Sequence, residues 1–288
     1  MALTTTMKIK RMLKDFIIGL FMGGANIIPG VSGGTVALVM GIYDKLIHSI
    51  NEIPKDIPVR LIKLDLEGVK SGLKKIDFPF LGALFIGALT AVVSIARILS
   101  YLIEAYPSPT YALFFGLIGG SVILIYKYID ELNLKSVLSA VIGFAAISLL
   151  LSVQGGIESD HPAMIFFGGM FSVASMILPG ISGSYILMIL GQYEFLLKAL
   201  YGMDLLIITI FMAGAFTGLF GLAKLLDHLL ERARSLTIAF LFGLMLGALR
   251  EPLFESISEA TSLKEVVVPA VIGIIAVLYL EHRYVLED

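Results

Sequence analysis

Two short polar elements of the same kind interrupt long apolar stretches of this sequence. Residues 29–35 read Pro-Gly-Val-Ser-Gly-Gly-Thr, and residues 179–185 read Pro-Gly-Ile-Ser-Gly-Ser-Tyr. Proline removes a backbone donor and blocks the preceding helical turn, and glycine tolerates backbone that other residues avoid. Each element is therefore predicted to break a helix in two and to leave free backbone N–H groups and hydroxyls at the break.

Such breaks are suited to binding an anion. The second half-helix begins at the break, so the positive end of its dipole points there, and hydroxyls lie alongside. A tight packing kink is the alternative, because small residues also let helices approach closely. Asn26 is either a ligand or a cap of the broken turn. The predicted phosphate-binding residues of the two breaks are Asn26, Gly30, Ser32, Gly33, Gly34, Thr35, Gly180, Ser182, Gly183 and Ser184.

The composition requires a membrane around these breaks. The chain has 288 residues, of which 58% are hydrophobic and 15% charged, and its mean hydropathy is +0.94. Soluble domains carry about 25% charged residues, so this is predicted to be a multi-pass membrane protein. Cysteine is absent, which excludes disulfides and thiolate metal sites. We expect no cofactor, no metal and no nucleic-acid partner, and membrane lipids as the surroundings.

The order of segments indicates an internal duplication. The first repeat, 1–152, comprises a broken hairpin (15–50), a polar loop (51–77) with an amphipathic helix at 59–73, and three spans. The second repeat, 153–288, comprises a broken hairpin (162–200) and three spans. Identical residues recur at an offset of 150 in the hairpins and of 127 in the spans that follow. Full spans of the length that a bilayer needs are predicted at about 78–105, 110–128, 134–152, 204–229, 235–250 and 265–281.

The charge pattern predicts how the repeats are oriented. If each broken hairpin enters and leaves the membrane on one side, the three spans that follow invert the second repeat. Nearly all Lys and Arg outside the spans then share the side of the N-terminus, and Lys198, Arg250 and Lys264 are the exceptions. The prediction is an all-α polytopic protein of inverted-topology repeats, each a re-entrant broken-helix hairpin followed by three transmembrane helices. Both termini are predicted to be cytoplasmic in the cell membrane.

Four charged residues within or beside the apolar segments align across the repeats. Arg97 and Lys224 lie inside spans, where an ionisable residue suggests a site with a partner. We predict that they bind phosphate, one from each leaflet; the alternative is that they snorkel or pair with Glu104 and Glu231. Asp44 and Glu194 are possible proton-coupling groups, or solvated carboxylates at a hairpin exit.

The motifs resemble the PopT family of prokaryotic membrane proteins. The resemblance rests on Gly-Ala-Asn-Ile-Ile-Pro-Gly-Val-Ser-Gly-Gly-Thr at 24–35, Gly-Ile-Tyr at 41–43 and Leu-Pro-Gly-Ile-Ser-Gly at 178–183. It implies a translocase that returns undecaprenyl (polyprenyl) phosphate from the outer to the inner leaflet. We expect alternating access around a midplane phosphate site. Many members have Asp where this chain has Asn26, which puts a proton-linked role at this position in question.

Two other functions use a similar site. Undecaprenyl-diphosphate phosphatases have the motif Pro-Gly-x-Ser-Arg-Ser-Gly, with Ser as nucleophile and Arg as phosphate clamp. Here Gly33 and Gly183 stand at the Arg position, and no Glu-Glu pair on an apolar helix can act as acid and base. The residues thus favour moving phosphate over cleaving it, so a transporter is predicted rather than an enzyme. A transporter of a small soluble anion remains the other alternative.

Overall fold

The computed structural model describes residues 5–27, 32–54, 56, 60, 63, 65–74, 76–129, 132–153 and 159–284. Within these ranges the regular structure is helical, with no strand. The helices are α1 (Thr5–Ile27), α2 (Gly33–Val39), α3 (Tyr43–Asn51), α4 (Leu66–Leu73), α5 (Phe78–Ala105), α6 (Pro107–Tyr126), α7 (Leu134–Leu150), α8 (Pro162–Ile177), α9 (Gly183–Ile189), α10 (Tyr193–Tyr201), α11 (Leu205–Arg232), α12 (Arg234–Ala248), α13 (Arg250–Ser258) and α14 (Leu263–Tyr284).

Five helical stretches in the described part of the chain are long and apolar enough to cross a membrane. They are Phe78–Ala105, Pro107–Tyr126, Leu205–Arg232, Arg234–Ser258 and Leu263–His282. The remaining predicted span, at 134–152, forms the apolar helix α7 of 17 residues. At 1.5 Å per residue α7 is about 25 Å long, which is shorter than a typical hydrocarbon core of about 30 Å.

The structure describes the second part of the amphipathic helix predicted at 59–73. Helix α4 begins only at Leu66, after Asp65, whose side chain accepts a hydrogen bond from Gly68 N at 2.8 Å. This cap satisfies a free donor of the first turn and sets the start of the helix. Most of the predicted segment before Asp65 lies outside the described residues.

Local features recur at the offsets of the sequence repeat. Helices α5 and α11 each have 28 residues. Asp77 caps α5 by accepting from Phe80 N, and Asp204 caps α11 by accepting from the backbone of its first turn. The turns after these helices are also alike, because Thr110 Oγ1 and Thr237 Oγ1 each donate to carbonyls four and eight residues earlier.

Glycines let the first and second long helices of each half pack closely. A Cβ on Gly87 of α5 would lie 2.2 Å from Phe16 O of α1, and one on Gly214 of α11 would lie 1.9 Å from Phe166 O of α8. Real Cβ atoms do not tolerate such distances, so only glycine permits these helix pairs. The two contacts are related by the same sequence offsets.

The third helix of each half packs against the other half. Helix α14 packs on α6, where a Cβ on Gly116 would lie 2.0 Å from Ala270 O. Helix α7 packs on α12 in the same way, because a Cβ on Gly243 would lie 1.9 Å from Ala140 O. The two halves therefore exchange their last helices, and α6 and α12 become the most buried long helices of the bundle.

The chain reverses at both breaks, toward opposite faces of the bundle. At the N-terminal face, Lys45 lies 3.3 Å from Asp77 and close to Asp15. Burial raises the pKa of Asp15, and the charge of Lys45 offsets this only in part. At the other end, which we call the opposite face, Gln192 Nε2 donates to Ser159 O at 2.8 Å. The contacts of Asp15 with Lys45 and of Ser159 with Gln192 each join a residue before a break to a residue after it.

Further contacts assign the other helix ends to the same two faces. At the N-terminal face they join Asp44 to Arg234, Asn51 to Asp227 and Lys127 to Glu281. At the opposite face they join Ser108 to Ser256 and Tyr185 to Leu151. These contacts sort the helix ends that they join into two groups. The side of the membrane on which each group lies stays a prediction.

Candidate anion site at the two helix breaks

The hydroxyls of the first break are engaged by the second break. Ser32 is fully buried, caps α2, and donates from Oγ to Leu178 O at 2.8 Å. Gly180 N donates in return to Ser32 Oγ and to Thr35 Oγ1, both at 3.1 Å. The two breaks therefore contact each other, and in this conformation the contact occupies the hydroxyls that were expected to face an anion.

Asn26 caps the break in this conformation. Its Oδ1 accepts a hydrogen bond from Gly33 N at 2.7 Å, so the amide holds one of the free donors of α2. Of the two roles considered for Asn26, the structure places it in the capping one. The predicted ligand Gly30, with its neighbours at 28–31, lies outside the described residues.

The first break is pressed against the end of α8. A Cβ on Gly34 would lie 2.6 Å from Ile177 O, and Tyr43 OH donates to the same carbonyl at 3.1 Å. Gly34 is buried, so its lack of a side chain serves close packing in this conformation.

The hydroxyls of the second break are less engaged. Ser182 Oγ and Ser184 Oγ are 2.8 Å apart and bond to each other, and Ser184 is exposed. The carbonyl of Gly183 accepts from Ser172 Oγ at 2.9 Å. Gly180 has a φ of +83°, the left-handed region that favours glycine, which lets its N–H turn toward the first break. Ser184 is thus the predicted hydroxyl ligand with access to a bound group, and the buried Ser182 is hydrogen-bonded to it.

A narrow cleft at the opposite face joins Ser182 to residues that the sequence analysis did not select. Gly180, Ser182, Tyr185 and Glu251 line it, together with apolar side chains from the end of α7. Glu251 is the second residue of α13, next to Arg250. The sequence does mark this pair. At the offset of 127, Arg250 and Glu251 correspond to the apolar residues Ile123 and Leu124, so the charged pair departs from the repeat.

An apolar groove lies beside each break, and the two grooves are related by the sequence repeat. The first, of about 260 Å³, includes Phe21 and Val36. The second, of about 660 Å³, includes their counterparts Phe171 and Ile186, and also reaches Leu178 of the second break. Both walls are almost entirely apolar, so each groove suits a hydrocarbon chain.

The structure does not bring Arg97 and Lys224 to the breaks. Both side chains are exposed on the long helices α5 and α11, and neither forms an ion pair within the described residues. Lys224 lies seven residues after Thr217, a residue of the second groove, and therefore shares its helix face. Lys224 therefore lies near the rim of the second groove. Arg97 lies seven residues after Thr90 in the same way, but Thr90 does not line the first groove, so Arg97 is not placed at its rim.

The helices that follow the breaks differ in how they are held. Asp44 on α3 pairs with Arg234, and Asp227 accepts from Asn51 Nδ2 at 2.7 Å, so α3 is docked on α11 and α12. Its counterpart α10 buries only Ala199, and Glu194 is exposed. Of the two predicted coupling residues, Asp44 therefore forms an ion pair and Glu194 is exposed.

These features define a class of protein: a multi-pass, all-helical membrane protein with a polar pair of helix breaks inside an apolar bundle. Comparison with known families identifies it further. The VCA0040-like family, described as undecaprenyl phosphate translocase-like, matches residues 22–267, and this chain belongs to that family. The match includes both breaks.

Two curated relatives are similar over most of this chain. A polyprenyl-phosphate transporter of Vibrio cholerae is 37% identical over 238 residues, which is 82% of this chain and 76% of that protein. A polyprenyl-phosphate transporter of Staphylococcus aureus is 28% identical over 255 residues, covering 82% of this chain and 84% of that protein. No solved structure matches the chain.

Proposed function

We propose that this protein moves polyprenyl phosphate from the outer to the inner leaflet, so that the lipid carrier can be used again. The observation that carries the proposal is membership of the translocase-like family over a range that includes both breaks. The transporter names of both relatives agree with it. In the proposed complex the hydroxyls of Ser182 and Ser184 hold the phosphate, and an apolar groove leaves the prenyl chain in contact with lipid.

The proposed architecture is a pair of inverted repeats with re-entrant hairpins, 1–152 and 153–288. Support comes from the reversal of the chain at each break, toward the N-terminal face in one half and the opposite face in the other. The recurrence of helix lengths, caps and glycine contacts at the repeat offsets also supports it. Inverted repeats place a substrate site at their interface, where the two breaks meet.

The proposed mechanism is alternating access, and the asymmetry of the two halves supports it. Helix α3 is docked on α11, and the groove of its half is the smaller, at about 260 Å³. Helix α10 is largely exposed, and the groove of its half measures about 660 Å³. In related halves, exchange of these two arrangements would close one face while opening the other.

We further propose that the N-terminal face is cytoplasmic, that both termini lie there, and that the protein resides in the cell (inner) membrane. The excess of Lys and Arg at this face supports that orientation. Single cysteines introduced into this cysteine-free chain test it with a membrane-impermeant label. Residues 232–235 should react from the cytoplasm and residues 255–262 from outside. Reaction of residue 15 and residue 45 from different sides would contradict the re-entrant hairpin.

Transport itself is tested in liposomes with a short-chain polyprenyl phosphate whose leaflet is resolved by an impermeant reagent. The protein should exchange the lipid between leaflets, and Ser182→Ala should slow exchange, because it removes a phosphate ligand. Ser258→Ala, at an exposed serine near the same face, is the matched control and should not. Liposomes with folded protein but no exchange would overturn the proposal.

The same preparation separates the alternative functions. Polyprenyl diphosphate should release no phosphate; release that is lost in Ser182→Ala would indicate a phosphatase. Inorganic phosphate outside the vesicles should not enter them; rapid uptake without any lipid exchange would indicate a transporter of a soluble anion.

A further inference from the structure

Glu251 is a carboxylate placed in the proposed phosphate site without a role in it so far. It lies in the first turn of α13 and is half-buried. Together with Ser182, Gly180 and Tyr185 it lines the narrow cleft at the opposite face. The cleft holds about 10 Å³ of free space, so a phosphate would bind at its mouth, where Ser184 is exposed.

The surroundings of Glu251 contain little to neutralise it. Ile147 and Leu151 of α7 contribute apolar walls to the cleft. Tyr185 of α9 and Tyr111 of α6 both lie near Glu251. The charged neighbour of Glu251 on its own helix is Glu255, another acid. Arg250, which precedes Glu251 in the chain, is exposed and lies near Tyr185. No ion pair of Glu251 is formed within the residues that the structure describes.

A second anion in this cleft has a predictable consequence. Two like charges in a partly apolar site disfavour each other's ionised form, so that one of them takes up a proton. The bound phosphate keeps at least one negative charge above about pH 2, whereas a carboxylate readily becomes neutral. Near neutral pH the phosphate can itself take up a proton, because its second pKa is about 6. Once the phosphate carries a single charge, the next group to become neutral on binding is the carboxylate.

We infer that Glu251 links phosphate binding at the second break to the uptake of one proton by its own carboxylate. The inference rests on the proposed function, since it assumes a phosphate beside Ser182. When the phosphate leaves, Glu251 ionises and returns the proton to water. The first break has no equivalent acid, because the position related to Glu251 is Leu124, which is fully buried. The duplicated protein thus has a proton-linked acid at only one of its two breaks, among the residues described.

The test is the pH dependence of binding to the purified full-length protein. A phosphate monoester itself titrates near pH 6, so a prenyl sulfate, whose charge is fixed, is used beside a short-chain polyprenyl phosphate. Wild-type affinity for the sulfate should fall by about tenfold or more from pH 5 to pH 8. Glu251→Gln should bind tightly and nearly equally at both pH values. Glu259→Gln, at an exposed acid after α13, is the matched control and should follow the wild type.

A second measurement does not depend on the folding of a variant. Calorimetry of wild-type binding in two buffers of different ionisation enthalpy should report uptake of about one proton per prenyl sulfate near neutral pH. A Glu251→Gln profile that follows the wild type, or no proton uptake by the wild type, would overturn the inference and leave the proposed function intact. A wild-type protein that binds neither probe at any pH would overturn the proposed function itself.

Discussion

The first and second breaks share a sequence pattern but serve different purposes in this conformation. Ser32 and Thr35 of the first break are buried and hold the backbone of the second at Gly180. Ser182 Oγ and Ser184 Oγ bond to each other; Ser182 lines a narrow cleft and Ser184 is exposed. The first break therefore supplies the hydrogen bonds that hold the two breaks together. The hydroxyls of the second break are not used in those bonds. A duplicated motif therefore does not imply two equal half-sites.

The largest effect is expected from making the first break resemble the second. Residue 34 is Gly, and its counterpart at the offset of 150 is Ser184. Gly34→Ser would force a Cβ to within 2.6 Å of Ile177 O, so it should destabilise the protein by about 3 kcal/mol. Thermal unfolding in detergent measures the loss.

The reciprocal change, Ser184→Gly, should cost about 1–2 kcal/mol, because Ser184 is exposed and the change removes a helix propensity and the bond to Ser182 Oγ. Gly82→Ala, on α5 with nothing within 4 Å of the added Cβ, is the neutral control. Equal destabilisation by both exchanges would mean that the two breaks are packed alike.

The next effect concerns the related cations. Lys224→Gln should weaken polyprenyl-phosphate binding roughly tenfold, because it removes a charged donor near the rim of the larger groove. Arg97→Gln should weaken it less in this conformation, since Thr90, which shares its helix face, lies outside the smaller groove. Binding of a short-chain polyprenyl phosphate at matched amounts of folded protein measures both.

Arg97→Lys and Lys224→Arg keep the charge and are the controls; each should recover much of the affinity. Wild-type binding and transport in both Gln variants would remove these residues from the site and leave the breaks alone as anion ligands.

A smaller effect should separate stability from binding at the two serines. Ser32→Ala removes a buried hydroxyl that bonds Leu178 O and Gly180 N, so it should lower stability by about 1–2 kcal/mol. Ser182→Ala should leave stability within about 1 kcal/mol and instead weaken phosphate binding. Unfolding and binding are measured on the same preparations. If Ser32→Ala were the variant that selectively lost binding, the assignment of roles would be reversed.

The smallest effect is expected at the contact that docks α3. Asp227→Ala removes the acceptor of Asn51 and should shift the docked fraction of α3 by two- to fivefold, the scale of a partly exposed polar contact. The labelling rate of a cysteine at the buried position 49, at the N-terminal face, should rise accordingly. Glu231→Ala, an exposed acid one turn further along α11, is the control. An unchanged rate would show that the contact does not hold α3.

The helix breaks and the recurring helices could be predicted from the sequence because they depend on local residues and on the repeat. Proline and glycine mark both breaks, and identities at two offsets predict the recurring helices such as α5 and α11. The bonds from Ser32 and Thr35 to Gly180 could not be predicted, because hydrogen bonding between elements some 145 residues apart depends on tertiary packing. Glu251 could be singled out as a departure from the repeat, but its place beside the second break depends on tertiary packing.

The exchange of the third helices sets the order in which the protein can be completed during synthesis. Gly116 of α6 is made early, yet the surface that covers it belongs to α14, which is made after every other helix described here. The glycine face of α6 therefore waits in the bilayer until α14 has been made, whereas α12 finds its partner α7 already synthesised. A nonsense mutation before Leu263 would therefore uncover a helix in the first half of the protein as well as shorten the second. Two separately expressed halves should assemble only when they are made together.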